Sequence, residues 1–247
     1  MASGWRRPVL GAARAFKLER ALRGAQYALS SRTQRRDIRD NERMRLLFRL
    51  ALPIDASVVD VGANVGDVLS DVVHAAPLGR HVAYEPLTDL AAALANRFPS
   101  VDVRNAAVSD TAGEATFNRV KSAHARSSLA TRGLPPDAIE PVTVRVETLD
   151  DLPADFRPAL IKIDVEGAEG AVLRGARRLL AEHRPIVIFE HGHEAAAAFH
   201  TAPRDIHALL ADHGYRIFDI DANGPLDRDA FEQTVRRGKV WTFVAHV

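Results

Sequence analysis

The stretch SVVDVGANVGDV, residues 57–68, decides how this chain folds. Ser57–Val61 is an apolar, β-branched run that suits a buried strand. A helical pattern follows over 66–76. A strand-to-helix turn needs one glycine, yet here Gly62 and Gly66 frame Ala63 and Asn64, and Asp60 stands two residues before the first glycine. In such a unit, ligands bind beyond the carboxyl end of the strand. Gly62, lacking a side chain, would let a ligand approach the backbone. The free N–H groups of the helix that Gly66 opens would favour an anion or carboxylate. The plain alternative is a structural turn.

Outward from this turn, short apolar runs alternate with helical patterns. Strands are expected at 80–85, 101–108, 159–164 and 185–190, and helices at 87–97, 167–182 and 203–213. This alternation predicts a doubly wound parallel α/β sheet. Two further runs, YRIFDI (215–220) and VWTFVAHV (240–247), read as strands with no helix of comparable length between them. Such a pair can be antiparallel. The fold class is therefore a mainly parallel seven-stranded sheet with an antiparallel closing strand. Residues 118–141, polar and with two adjacent prolines, read as a long functional loop. Arg126, Ser127 and Ser128 in it are candidates to contact a polar acceptor.

The chain has 247 residues, 47% hydrophobic and 26% charged, and a formal net charge of +1. That composition suits a globular domain with a substantial core. The charge is segregated. Residues 1–50 hold 13 Lys+Arg against 4 Asp+Glu, leaving 20 basic and 28 acidic residues in 51–247. Residues 5–30 read as a basic amphipathic helix, SSRTQRR (30–36) as a break, and DIRDNERMRLLFRLAL (37–52) as a second helix stopped by Pro53. The expected division is a basic helical extension over 1–52 and one domain over 53–247. The leader is read as a cytosolic extension rather than an organelle transit peptide, which is likewise Arg-rich and acid-poor. No apolar run is long enough to cross a bilayer, and the expected location is cytoplasmic.

The turn spacing selects a ligand class. A dinucleotide fingerprint is G-x-G-x-x-G. Here G-A-N-V-G lacks the middle glycine, and Asp60 is a poor neighbour for a pyrophosphate. A nucleoside carrying an amino acid fits better. Glu85 ends the next strand, 23 residues after Gly62. An acid there accepts hydrogen bonds from ribose hydroxyls in related folds. A surface glutamate at a strand end is the bland alternative.

The strings VVDVGANVGDV, YEPL, NAAVSDTAGEATF, SSL, LIKIDVEGAEGAVLRGA and RPIVIFE together resemble the consecutive motifs of FkbM-type methyltransferases. The resemblance covers about residues 57–190 and the carboxyl-terminal strand, and IKIDVEGAE is its most specific part. It implies a Rossmann-like class I fold and S-adenosyl-L-methionine as cofactor, with methylation of hydroxyls on sugars or natural products. It also implies that Asp60, Gly62, Ala63, Asn64 and Gly66 contact the methionine part and that Glu85 holds the ribose. Ala107 falls where many class I enzymes place an acid near the adenine, and Asp110 is the substitute candidate.

Methyl transfer to a hydroxyl needs alignment and a proton acceptor. The tips of the fourth and fifth strands offer Asp164, Glu190 and His191 as catalytic candidates. Asp164 and Glu190 would act as base and orienter, or alternatively share a divalent cation through oxygen ligands. Glu166 and Glu169 are read as charging the start of the following helix. The HGH run, 191–193, is read as a solvated loop, with His191 as a base the sharper alternative. The absence of cysteine excludes pyrimidine C5 methylation through a thiolate adduct. IDVEG replaces the Asn-Pro-Pro-aromatic turn that grips an exocyclic amine in many N-methyltransferases. A small-molecule or glycan hydroxyl is the acceptor these features favour. The competing readings are an RNA methyltransferase using the basic leader, a nicotinamide oxidoreductase, and a non-catalytic nucleoside-binding protein. A homo-oligomer is left open.

Overall fold

The computed structural model describes residues 31–120, 127, 129, 136–192, 198–199 and 201–247. In chain order the elements are α1 (Arg32–Ala51), β1 (Ser57–Val61), α2 (Asp67–Ala75), β2 (Val82–Tyr84), α3 (Thr88–Arg97), β3 (Asp102–Arg104) and β4 (Ala107–Val108). There follow β5 (Gly113–Val120), β6 (Ile139–Glu147), β7 (Pro158–Ile163), α4 (Glu169–Arg174) and α5 (Arg177–Glu182). The chain closes with β8 (Ile186–Glu190), α6 (Pro203–Asp212), β9 (Arg216–Asp219), α7 (Arg228–Arg237) and β10 (Thr242–His246).

Seven strands form one sheet in the order β3-β2-β1-β7-β8-β10-β9. Pairing is parallel from β3 to β8, and β10 runs antiparallel to both β8 and β9. The expected mainly parallel sheet with a reversed strand is the observed one. The central strands are apolar throughout because both faces are covered. Val59, Val61, Ile161, Ile163 and Phe189 pack with Val172, Leu179, Leu210 and Phe231 on one face. Val58, Leu160 and Ile188 pack with Met44, Phe48 and Val72 on the other. The strand order reverses between β1 and β7, which makes their carboxyl tips the switch point where such folds bind ligands.

Several expectations need correction. The run 101–108 is not one strand. It divides into β3 and β4, which lie in different sheets, because the chain turns at Asn105. The Asn105 side-chain amide donates to the carbonyls of Glu85 (3.0 Å) and Pro86 (2.9 Å). Residues 118–141 are not all loop. β5 and β6 pair antiparallel from Gly113↔Val146 to Val120↔Ile139 and, with β4, make a second, three-stranded sheet. Its inner side chains, Phe117, Val144 and Val146, pack on Ala107 and Leu87. Ser127 Oγ accepts the Val120 N–H at 2.9 Å, while Arg126 and Ser128 lie outside the described residues. The helix expected over 167–182 is interrupted at Gly175, where a Cβ would stand 2.1 Å from the Ser109 carbonyl oxygen. A ten-residue helix, α7, separates β9 from β10.

The break expected at 30–36 is instead a helix start. Ser31 Oγ accepts the Gln34 N–H (3.2 Å) and Gln34 Oε1 accepts the Ser31 N–H (2.9 Å), a reciprocal capping box. The compact unit containing the large sheet spans Met44–Val247. The helix expected over 5–30 lies outside the described residues.

Candidate functional site

The site grows from the tip of β1. Asp60 lies in register with Ala83 of β2 and Lys162 of β7. Its side chain is 1% exposed, and neither carboxylate oxygen has a hydrogen-bond partner. The Lys162 ammonium, also buried, stands 3.8 Å from Asp60 Oδ1 and donates to Asp164 Oδ2 at 3.1 Å. Burial pushes the Asp60 carboxyl above its ordinary range, with Lys162 opposing and Asp164 reinforcing that push. Burial alone would lower the Lys162 ammonium, but Asp164, Asp60 and Glu190 together hold it above its ordinary value. Lys162 is thus a fixed cation among carboxylates.

The turn after β1 is held by β2. The Gly62 and Ala63 N–H groups both donate to the Tyr84 carbonyl at 3.0 Å. Asn64 takes a left-handed conformation, φ 48°, and its N–H donates to Glu85 Oε2 at 2.9 Å. Glu85 Oε1 accepts the Leu87 N–H at the same distance. Burial raises the Glu85 carboxyl, and these two N–H groups partly offset the rise. Glu85 is therefore both a buried acid at the strand tip and the clasp of the glycine turn.

Strand packing by itself requires a glycine at position 62. Its φ is +82°, and a Cβ would lie 2.0 Å from the Asp164 carbonyl oxygen. The bare backbone there admits the neighbouring strand tip. Gly66, also at φ +82°, faces Leu94 of α3 and Phe98 just beyond it in the same way.

Asp60, Gly62, Ala63, Asn64, Gly66 and Glu85 gather at the tips of β1 and β2. Asp164 follows β7 directly, its N–H donating to the Val61 carbonyl at 3.0 Å. Glu190 ends β8, the next strand over. Ala107 is buried in the second sheet beside Leu87, so it abuts the residue that clasps Glu85. Asp110 is engaged elsewhere, accepting a hydrogen bond from Arg174 Nε at 2.8 Å on an exposed face.

Of the run 191–193, read as a solvated loop, His191 is buried, and His193 lies outside the described residues. His191 is 1% exposed, and its N–H donates to the Trp241 carbonyl at 2.7 Å. Its Nδ1 lies 3.1 Å from Glu169 Oε2. Glu169 is buried too, and its Oε1 accepts the Gly167 N–H at 2.7 Å. Glu169 stands in the first turn of α4, as expected, and adds a buried contact with His191.

Lys162 and Glu169 are the site's less conspicuous residues in the sequence. A lysine inside the apolar run ALIKI was the available signal, because a buried ammonium requires carboxylate partners. Among the described residues, no group of three or more His, Asp and Glu is arranged as metal ligands. The charge between Asp60 and Asp164 is supplied by Lys162. No helix among the described residues is long and apolar enough to cross a membrane.

The sequence model of the FkbM methyltransferase domain matches residues 60–217. No curated protein sequence matches the chain. Among solved structures, the FkbM methyltransferase of Methylobacillus flagellatus KT is similar at 20% identity and a TM-score of 0.49, over 78% of this chain and 44% of that one. This chain thus spans less than half the length of that protein. A TehB-like SAM-dependent methyltransferase of Corynebacterium glutamicum is similar at 13% identity and a TM-score of 0.45, over 95% and 97% of the two chains. A precorrin-6y C5,15-methyltransferase of Geobacter metallireducens is similar at 16% identity and a TM-score of 0.43, over 71% and 72%. The domain match takes in the glycine turn, both strand-tip acids and the Lys162–Asp164 pair, and the chain belongs to the FkbM family of S-adenosylmethionine-dependent methyltransferases.

Proposed function

We propose that this protein transfers the methyl group of S-adenosylmethionine to a hydroxyl of a small molecule, sugar or natural product, in the cytoplasm. The carrying observation is Asp60, a buried carboxylate with no hydrogen-bond donor at the switch point between β1 and β7. A buried acceptor left unpaired costs about 1–3 kcal/mol. A ligand that brings donors and positive charge to this point recovers that cost. The cofactor's ammonium, sulfonium and ribose hydroxyls are groups of that kind.

When bound, S-adenosylmethionine supplies a methyl group on a positively charged sulfur, open to in-line displacement. The chain's own residues do the rest. Asp60 offers its bare oxygens to the donors of the amino-acid part. Glu85 holds the 62–66 turn in shape and keeps lone pairs for the ribose. Asp164 and Glu190 line the far side and orient the acceptor. Asp164 spends an oxygen on the Lys162 ammonium at 3.1 Å rather than serving as the proton acceptor. His191, on the tip of β8, takes that role. A hydroxyl acceptor fits a site that offers carboxylates and an imidazole and no thiol.

The test is calorimetric titration with S-adenosylmethionine and S-adenosylhomocysteine. Radiolabelled methyl transfer to a panel of glycosides and hydroxylated polyketides follows, with a total RNA arm. Binding plus transfer to a hydroxyl supports the proposal. Absence of binding overturns the cofactor site, transfer to RNA overturns the acceptor class, and binding without transfer to any arm favours a non-catalytic binder.

A further inference from the structure

The buried pair of Glu169 and His191 carries more than a structural contact. The carboxylate of Glu169 is anchored on one side by the Gly167 N–H, 2.7 Å from Oε1, so its other oxygen is held in place against His191 Nδ1 at 3.1 Å. An ionised carboxylate only accepts hydrogen bonds, so a neutral imidazole meeting it must carry its proton on Nδ1. Nε2 is then a bare lone pair. That atom is buried and has no partner. The ring itself is fixed, lying near-parallel to Phe231 at a centroid distance of 6.3 Å and an interplanar angle of 22°. The backbone is pinned through the Trp241 carbonyl.

A buried nitrogen acceptor with no donor is costly to keep. The arrangement therefore holds a preset proton acceptor on the residue that directly follows β8. Glu169 starts α4, in the turn that follows Asp164. The two strand tips are thereby linked by one hydrogen bond.

We propose that Glu169 is a positioning residue that locks His191 in its Nδ1–H form, so that Nε2 receives the proton of the acceptor hydroxyl during methyl transfer. This rests on the hydroxyl-acceptor reading above. In the step, the oxygen–methyl bond forms as the sulfur–methyl bond breaks, sulfur keeps the bonding pair, and the hydroxyl proton passes to Nε2. The imidazolium so formed is stabilised by the Glu169 carboxylate and returns its proton to solvent after product leaves.

The first readout needs no acceptor. Nitrogen NMR of the full chain with 15N-labelled histidine, in the presence of S-adenosylhomocysteine, should show His191 with a protonated Nδ1 and a pyridine-type Nε2. Loss of the signal in His191→Asn (H191N) identifies it. In Glu169→Leu the tautomer should move towards Nε2–H, and in Glu169→Asp it should remain Nδ1–H. With the best hydroxyl acceptor of the panel, kcat should fall by about 100-fold or more in H191N. It should fall by about tenfold or more in Glu169→Leu, with partial rescue in Glu169→Asp. Cofactor affinity should change by less than about twofold in all three, since neither residue is placed against the cofactor.

A wild-type His191 with protonated Nε2 and bare Nδ1 overturns the proposal without need of any variant that folds poorly. An H191N enzyme with kcat within about twofold of wild type, on a hydroxyl acceptor, overturns the role of Nε2. Cofactor binding with transfer only to amines or carbon overturns the hydroxyl reading itself, and is told apart because the tautomer measurement stands independently of it.

Discussion

Asp60 and Lys162 occupy one row of neighbouring strands, with their charged ends 3.8 Å apart and no hydrogen bond between them. The gap matters. Lys162 spends a hydrogen bond on Asp164 instead, so Asp60 feels the ammonium only through space and keeps both oxygens without a hydrogen bond. Removing one partner of a buried ion pair strands the other charge and costs about 3–5 kcal/mol. Lys162→Met is expected to destabilise the fold by an amount in that range, measured by chemical denaturation. In the Asp60→Asn/Lys162→Met double variant the loss should be smaller than the sum of the single losses, because the two sites share one interaction.

Asp60 also sets a pH dependence of known sign. Its carboxyl is raised above the unfolded value of 3.8 by burial. The fold therefore binds the proton more tightly than the unfolded chain. This group's contribution is fully present below the unfolded pKa and is lost as pH rises through the folded one. Asp60→Asn removes that loss. Its stability relative to wild type should rise with pH from about 4 upwards and level off once Asp60 is ionised. Urea midpoints measured across that range check it. A difference that falls with pH would contradict the buried, raised carboxyl. Glu85, also raised by burial above 4.5, acts in the same direction.

The large sheet was legible because parallel strands buried on both faces leave continuous apolar runs, as in VVDV and ALIKI. The second sheet is less legible, although Val142, Val144 and Val146 alternate with polar residues at strand period. Adjacent prolines and a polar flank obscure that signal. The helix start at Ser31 was hidden in a charged string whose Ser-x-x-Gln spacing is a capping box. The place of Asp60 and Glu85 at neighbouring strand tips could be read from position alone, since β1 and β2 pair in parallel. The contact of Glu169 could not, because its partner His191 is 22 residues away and only the β7–β8 pairing joins them.

The two roles of glycine can be separated by substitution. Gly62 combines a left-handed φ with a Cβ position 2.0 Å from the Asp164 carbonyl, whereas Gly238, φ +60°, has nothing within 4 Å. Gly238→Ala should cost only the conformational penalty, about 1–2 kcal/mol. Gly62→Ala adds overpacking of about 1–3 kcal/mol and should displace the β7 tip. Thermal unfolding of the two variants, with cofactor titration of Gly62→Ala, tests this. Equal losses in both would remove the argument that strand approach dictates Gly62.

Glu85→Gln should uncouple the turn from β2. The variant keeps one acceptor oxygen, so only one of the Asn64 and Leu87 N–H groups can still be served. The loss of a charge-assisted bond should weaken S-adenosylmethionine binding by about 1–3 kcal/mol, read by calorimetry. Unchanged affinity would place the ribose elsewhere.

The charge balance of the site yields the last expectation. Asp60, Asp164 and Glu190 act on Lys162, and Asp60 acts on Glu85, so carboxylates outnumber the ammonium among these residues. Such a field favours a positively charged sulfur over a neutral thioether of nearly the same shape, because the surrounding dipoles and charges are screened little when buried. The protein should therefore bind S-adenosylmethionine more tightly than S-adenosylhomocysteine, which also assists release of the spent cofactor. Asp60→Asn should shrink that ratio by removing one negative charge, while Asp110→Asn, whose carboxylate faces Arg174 on an exposed surface, should leave it unchanged. Paired calorimetric titrations of both ligands against the two variants decide the matter. A ratio that survives Asp60→Asn would mean the sulfur is held by shape and not by this carboxylate.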